Sequence, residues 1–479
     1  MASQEPSFTV PLFINGRERL PPKTFDVVSP VTGETAHRCS AASVDDAVAA
    51  VDAAAGAFKT WKQTTPSQRR DILLRAADII DSRRQELARC LMHETGASQP
   101  YADFNINHTT ELLKDVAGRI ATLEGSFPAT MDPESSAIVM REPYGVVLAI
   151  APWNAPFILG VRSFAFPIAA GNTVVLKASE AAPRCIWAMV SALHDAGLPD
   201  GVLNMIVHER SAAASATAAL IASPHVKKIN FTGSTPVGRI VAKLAGEHLK
   251  PVVLELGGKA PAIVCEDADL QLAAEQCALG AFTHSGQICM STERILVHTS
   301  VKQQFVEALT AAVEKHYPSS ADALTLISSA AVERNKQLVA DAANKGASVI
   351  HGDVHAPQAS QTRLRPIIVD NVTADMDIYQ AESFGPTVSL IAIESEEEAV
   401  RIANDTDFGL SSAVFTEDLR RGLRLAREIE TGAVHINGKT VHDEAVLPHG
   451  GAKASGYGRF NSTRGLDEWV RTKNVTFRN

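Results

Sequence analysis

The chain has 479 residues, 45% of them hydrophobic and 21% charged, and its mean hydropathy is +0.00. These values exclude a disordered or fibrous protein, and the length amounts to roughly three domains of chain. With 45 basic against 54 acidic residues the net charge is −9, which argues against a nucleic acid or an acidic membrane surface as partner.

Residues 1–10 are polar and hold no apolar leader. Cys39, Cys90, Cys185, Cys265, Cys277 and Cys289 form no CxxC pair and no zinc-type spacing. No metal is therefore expected, and a reduced, cytoplasmic setting is. Residues 44–58 are Ala-rich with helical spacing. Residues 67–93 carry a long amphipathic stripe of Ile72, Leu73, Ala76, Ile79, Ile80 and Leu87, and 109–123 repeat the pattern. Short β runs at 138–140 and 146–150 then flank Pro143-Tyr144-Gly145. Strand patterns at 173–176, 203–207 and 228–231 alternate with helical ones at 155–169, 183–196 and 211–221, as in a doubly wound parallel α/β sheet. The apolar window 143–176 is not a membrane span, because Pro152, Asn154, Pro156, Pro167 and Asn172 interrupt it. A second α/β cycle begins near residue 251, with strands at 261–264, 294–297, 348–350, 366–369, 388–392, 412–415 and 433–436 and helices at 270–282 and 301–315.

Four segments carry chemistry. In Lys228-Ile-Asn-Phe-Thr-Gly-Ser-Thr-Pro-Val-Gly238 a strand runs into Gly233 and Ser234, and a helix starts at Pro236. The free N–H groups and positive dipole end of such a helix suit a pyrophosphate. The spacing is neither the Rossmann fingerprint nor a P-loop, so an ordinary strand–helix corner is an equal reading. Lys177 and Glu180 follow a buried strand, where open α/β sheets bind ligands. A carboxylate there accepts from ribose hydroxyls and repels a 2′-phosphate, a solvated loop pair being the alternative. Glu255 lies between Leu254 and Leu256. Desolvation is expected to raise its pKa towards neutrality, as a general base requires, with structural pairing to Lys259 as the alternative. Cys289 ends Thr283-His-Ser-Gly-Gln-Ile-Cys289 beyond a Gly-Gln turn, placed to enter a cleft as a nucleophile. The alternatives are a buried structural cysteine, the reading given to the other five, and a Cys289–His284 pair.

Together the motifs Pro152-Trp-Asn154, Lys177-Ala-Ser-Glu180, Phe231-Thr-Gly-Ser234, Glu255-Leu-Gly-Gly-Lys259, Gly286-Gln-Ile-Cys289, Glu382-Ser-Phe-Gly-Pro386 and Gly450-Gly-Ala-Lys-Ala-Ser-Gly456 resemble those of the NAD(P)-dependent aldehyde dehydrogenase superfamily. The resemblance runs from Phe13-Ile-Asn-Gly16 to the last strand. It implies a dinucleotide-binding domain (1–121 and 141–251), a catalytic domain (252–444) and a small β oligomerisation flap (122–140 and 464–479), with 445–463 returning to the cofactor domain. It implies Cys289 as nucleophile, Asn154 as the side-chain half of an oxyanion hole, and Glu255 as the base that hydrolyses the thioester. It further implies NAD held by Trp153, Lys177, Glu180, Gly233, Ser234, Leu256, Glu382 and Phe384, and a homodimer or dimer of dimers.

Arg162 is the only charge between Glu142 and Lys177, and it follows Asn154 by eight residues. That is close to two helical turns, so the two are expected on one helical face. Arg162 reads either as a donor in the aldehyde pocket or as half of a buried ion pair with a distant Asp or Glu. The run 151–162, Thr440-Val-His-Asp-Glu444 and Ser455-Gly-Tyr-Gly-Arg-Phe460 are similar to salicylaldehyde and vanillin dehydrogenases. In salicylaldehyde dehydrogenases an arginine matching Arg162 lies in the substrate pocket. The substrate implied is a salicylaldehyde-like aromatic aldehyde, with Tyr101, Phe157, Ile288 and Tyr457 as walls. The chain departs from the pattern at Tyr101, where that group has Trp, at His449, where a Phe precedes Gly-Gly, and in a shortened loop at 319–328. The rivals are an aliphatic or semialdehyde dehydrogenase and a catalytically silent structural homologue.

Overall fold

The computed structural model describes residues 8–356 and 359–478. Residues 1–7, most of the polar N-terminal stretch, and Asn479 at the end of the expected flap lie outside them. The architecture is mixed α/β, built on two doubly wound sheets.

The first sheet has eight strands in the order Gly456–Tyr457, Val252–Glu255, Val226–Thr232, Val146–Ile150, Thr173–Lys177, Leu203–Ile206, Leu12–Ile14, Arg17–Arg19. Its five central strands are parallel. Within Val146–Ile150 every residue is buried: Val147 and Ala149 join the core on one face, while Val146, Leu148 and Ile150 join the core on the other. Such a strand reads as an unbroken apolar run because helices cover both faces. The second sheet has seven strands, Ser348–His351, Ile367–Asp370, Thr387–Ile393, Thr292–His298, Ala260–Val264, Ser411–Phe415 and Ala433–Ile436, and only the first runs antiparallel. A separate ribbon pairs Ser135–Pro143 with Val470–Arg478 over nine residue pairs, at the place expected for the flap. Among the described residues no helix is long and apolar enough to cross a membrane.

The structure corrects three expectations. Val252–Glu255 hydrogen-bonds to Val226–Thr232, so the chain leaves the first sheet between Glu255 and Ala260, a few residues beyond the expected boundary at 251. The long stripe at 67–93 is two helices, Pro66–Ser82 and Arg84–Thr95. The break falls where the Ser82 hydroxyl donates to the Ile79 carbonyl and Arg83 leaves helical geometry. The helix expected at 109–123 spans Gln99–Arg119. It starts at Pro100, and its early stripe is hidden because polar Asn105 and Thr109 are among its buried residues.

One buried cation ties the second sheet together. Arg294, fully buried in Thr292–His298, donates to the carbonyls of Lys259, Ile402, Ala403 and Asp405. Three of these close the helix Glu396–Asn404, where the dipole is negative. Burial draws its guanidinium down to about 10, still charged at neutral pH. Arg294→Met strands these carbonyls without donors and should cost about 3 kcal/mol or more. A denaturant midpoint equal to that of the unmutated protein would refute this.

Candidate active site

Four neighbouring parallel strands of the first sheet end at one edge, and each delivers a side chain there. Val252–Glu255 ends in Glu255, Thr173–Lys177 in Lys177 and Val226–Thr232 in Thr232, while the loop after Val146–Ile150 holds Trp153 and Asn154. Carboxyl ends of parallel strands form the crevice in which open α/β sheets bind ligands.

Cys289 arrives from the second half of the chain on a strained turn. His284, Ser285 and Gly286 all have positive φ, at 50°, 61° and 72°, a run that L-residues adopt only when their surroundings compel it. Here the Ser285 hydroxyl and the Gln287 amide both donate to the Thr325 carbonyl, at 2.8 and 3.3 Å, and Ile327 N–H donates to Gln287 Oε1 at 2.9 Å. Asn154 Nδ2 donates to the Gln287 carbonyl at 2.9 Å, which brings the Asn154 amide to the Cys289 turn and leaves its second N–H for a ligand.

Cys289 is half-buried. Burial, with the charges of Glu255, Glu382 and Asp443, pushes its thiol well above the usual range, against a smaller opposing effect of Arg162. The thiol is therefore neutral at rest. His284 does not pair with it: the imidazole stacks on Tyr101 with centroids 4.2 Å apart, and burial lowers it to about 3.

Glu255 reverses the sequence expectation. Burial does raise its carboxyl, but the charges of His449 and Arg162 outweigh it, and the net displacement is downward. Oε1 accepts from His449 Nε2 at 2.6 Å and lies 3.5 Å from Arg162 Nη1. Lys259 is not the partner; it binds Glu293 Oε2 at 2.5 Å. Glu293 also accepts from the backbone N–H groups of Ser383 and Phe384 and so fixes the Glu382 loop.

Arg162 is only 2% exposed and pairs with Asp443 as well as Glu255, the buried ion-pair alternative. Its helix spans Pro156–Ala169, so Asn154 precedes the helix and shares no helical face with it. Asp443 further accepts from Asn461 Nδ2 at 2.8 Å and lies 3.4 Å from His108 Nε2. Arg162, with the charges of His449 and His108, holds Asp443 well below its ordinary range despite burial.

The remaining residues fall into two groups. Trp153 and Phe384 meet edge to face at 6.0 Å. Gly258 N–H donates to Glu382 Oε1 at 2.8 Å, and burial together with Glu293 raises Glu382 to about 7. Leu256 packs under Gly238 in the helix Thr235–Glu247. That helix follows Gly233, and the Ser234 side chain does not cap it, so its first N–H groups suit a phosphate. Lys177 is buried, which lowers its ammonium, partly offset by Glu180. The second group is apolar: Tyr101, Phe157, Ile288 and Val441 all belong to the large apolar core on one face of the first sheet, which Trp153 and Met290 adjoin. Tyr457 is not brought to it; it is 51% exposed on the edge strand beside Leu254. A cleft of about 1900 Å³ borders this cluster through Tyr101, Phe104, His284, Val441 and Asp443. In the ion cluster of Arg162, Asp443, His449 and Glu255 the partners of Glu255 lie 93 and 194 residues from it and Asp443 lies 281 from Arg162, so nothing local to Glu255 signals it.

The aldehyde dehydrogenase family model matches residues 17–475. The chain is 45% identical to a vanillin dehydrogenase of a Pseudomonas species over 98% of both chains. It is 40% identical to a salicylaldehyde dehydrogenase of Pseudomonas putida over 97% of both. Its fold superposes on the crystal structure of a salicylaldehyde dehydrogenase from Pseudomonas putida G7 complexed with salicylaldehyde, with a TM-score of 0.95 and 39% identity over 98% of each chain.

Gly286 tests how far the site depends on its turn. A Cβ there would run into the Gly385 carbonyl, and the residue has φ +72°. Gly286→Ala should move Cys289 out of place and lower activity about 100-fold in a protein that stays folded. Activity within a few-fold of the unmutated level would show that the turn does not set the position of Cys289.

Proposed function

The chain belongs to the aldehyde dehydrogenase family, and from that premise we propose that it oxidises aromatic aldehydes of the salicylaldehyde or vanillin type to carboxylic acids with NAD. The observation that carries the reading is the meeting of a cysteine on a strained turn, an amide donor and a buried carboxylate at the carboxyl edge of one sheet.

In this reading Cys289 Sγ adds to the aldehyde carbonyl and forms a thiohemiacetal. The Asn154 amide and the Cys289 N–H hold its oxygen, donors that are typically worth about 3–4 kcal/mol in the transition state. Nicotinamide, when bound, supplies the hydride acceptor. Glu255, ionised at rest, takes a proton from the water that attacks the resulting thioester. The carbon–sulfur bond breaks, the acid leaves and the thiol is restored. Lys177 and Glu180 hold the adenosine ribose, and Gly233, Ser234, Trp153 and Leu256 surround the pyrophosphate. Glu382 holds the second ribose, with Phe384 against the ring. The uncapped helix start after Gly233 supports that placement. Tyr101, Phe157 and Ile288 form the aromatic pocket, while Arg162 enters the chemistry through Glu255 rather than through the substrate ring. Exposed Ile138, Met140, Val475 and Phe477 on the terminal ribbon support a homodimer or dimer of dimers formed through the flap, in a cytoplasmic setting.

Initial rates of NADH formation with salicylaldehyde, vanillin, benzaldehyde and hexanal test the substrate class. The aromatic aldehydes should exceed hexanal by about tenfold or more in kcat/KM. A preference for hexanal would favour the aliphatic reading. Cys289→Ala should lose turnover and keep NAD binding; turnover retained in that variant would place the nucleophile elsewhere.

Cofactor choice rests on Glu180, whose carboxylate would repel a 2′-phosphate. The ratio of kcat/KM for NAD to that for NADP should favour NAD by about tenfold or more. The opposite preference would show that Glu180 points away from the ribose.

A further inference from the structure

The two oxygens of Glu255 are not equivalent. Oε1 is held by His449 Nε2 at 2.6 Å with Arg162 Nη1 at 3.5 Å, whereas among the described residues Oε2 has only the Thr232 hydroxyl at 3.5 Å. His449 is itself tightly placed. It is 9% exposed, and its backbone exchanges two hydrogen bonds with Phe460, at 2.8 and 2.7 Å. Its second ring nitrogen lies 3.7 Å from Asp443 Oδ1. Asp443 in turn is anchored by Arg162 and Asn461.

Resting on the aldehyde-oxidising reading above, we propose that His449 is the positioning residue of the hydrolytic base. It occupies Oε1 of Glu255, so that Oε2 is the oxygen that accepts the water proton. Asp443 and Arg162 keep the imidazole in place. In the step concerned, the water gives a proton to Oε2 as its oxygen bonds to the thioester carbonyl. The carbon–sulfur bond then breaks with its electron pair on Cys289 sulfur, which takes up a proton, directly or through solvent, as Oε2 releases the one it accepted. The overall change is thioester plus water to acid plus thiol.

The charged and titratable groups around this pair come from every neighbouring element. Arg162 projects from Pro156–Ala169, His108 from Gln99–Arg119, and Asp443 from the loop before His449. Cys289 faces the cluster from its turn. His435, from Ala433–Ile436, is lowered to about 4 by burial and by His442 and His449, so it is neutral at pH 7. With His449 beside it, Glu255 lies below the ordinary carboxylate range in spite of burial. Without the imidazole, the hydrogen bond to Oε1 is lost, Arg162 is left to oppose desolvation, and the carboxyl rises. A base works only when deprotonated, so the acid limb of hydrolysis must move to higher pH.

Rapid mixing of enzyme, NAD and salicylaldehyde separates the first burst of NADH from steady turnover. His449→Phe should keep the burst at full size, slow the steady state by about 10–100-fold, and move the acid limb of kcat to higher pH. His449→Gln keeps an N–H donor and should recover part of the rate; it carries the same test if His449→Phe fails to fold. Glu255→Gln, measured alongside, should give the burst and no turnover. If Glu255→Gln turns over normally, the base assignment falls. If it stalls while His449→Phe keeps the unmutated rate and pH profile, only the role of His449 falls. Burst and turnover lost in equal proportion in both His449 variants would also overturn the proposal, making His449 a support of the fold.

Discussion

A carboxylate buried to 2% exposure cannot keep its charge unless positive charge is packed against it. That requirement organises the centre of this molecule. Glu255 stands at the end of a strand in the first sheet, and its partners come from a fully buried helix and from a late loop. Arg162 would itself be an uncompensated charge within that helix, and Asp443 balances it. Glu255, Arg162, Asp443 and His449 form a closed set in which each side chain touches at least two of the others' polar groups or their neighbours. Removing Arg162 would leave the Glu255 and Asp443 carboxylates buried without their guanidinium, which is far more costly than never having had the pair.

Cys289 is held by different physics. No opposite charge steadies Cys289; its position follows from three successive left-handed residues pinned to the Thr325 carbonyl and its surroundings. The surrounding carboxylates keep the thiol protonated. An ionised carboxylate at Glu255 therefore lies beside a neutral thiol at Cys289.

Much of this was legible in the sequence, and the rest was hidden for definable reasons. The strands at 387–393 and 411–415 announce themselves because nearly every position is buried and apolar or small. The short strands Leu12–Ile14 and Arg17–Arg19 escaped notice, though Asn15-Gly16 between them, with positive φ at both residues, is a strong hairpin signal. Buried Asn105 and Thr109 broke the apolar stripe of the helix that starts at Gln99. At the site, residue type and motif pointed to Cys289, Glu255 and Asn154, but local context misjudged the environment of Glu255. Flanking leucines foretold desolvation correctly; the compensating His449 lies 194 residues away and leaves no trace near Glu255.

That separation bears on how the protein comes into being. The strand carrying Glu255 is closed on its outer edge by Gly456–Tyr457, and His449 and Asp443 come from the same late stretch of chain. During synthesis the first sheet can assemble its parallel strands as they emerge, with Arg162 already present, but through that whole interval Glu255 lacks His449 at the rim of a growing core. Contacts spanning 194 and 281 residues close late because their loop entropy has to be overcome first. The pocket of Glu255 thus stays unfinished until His449, 194 residues further along the chain, has been made.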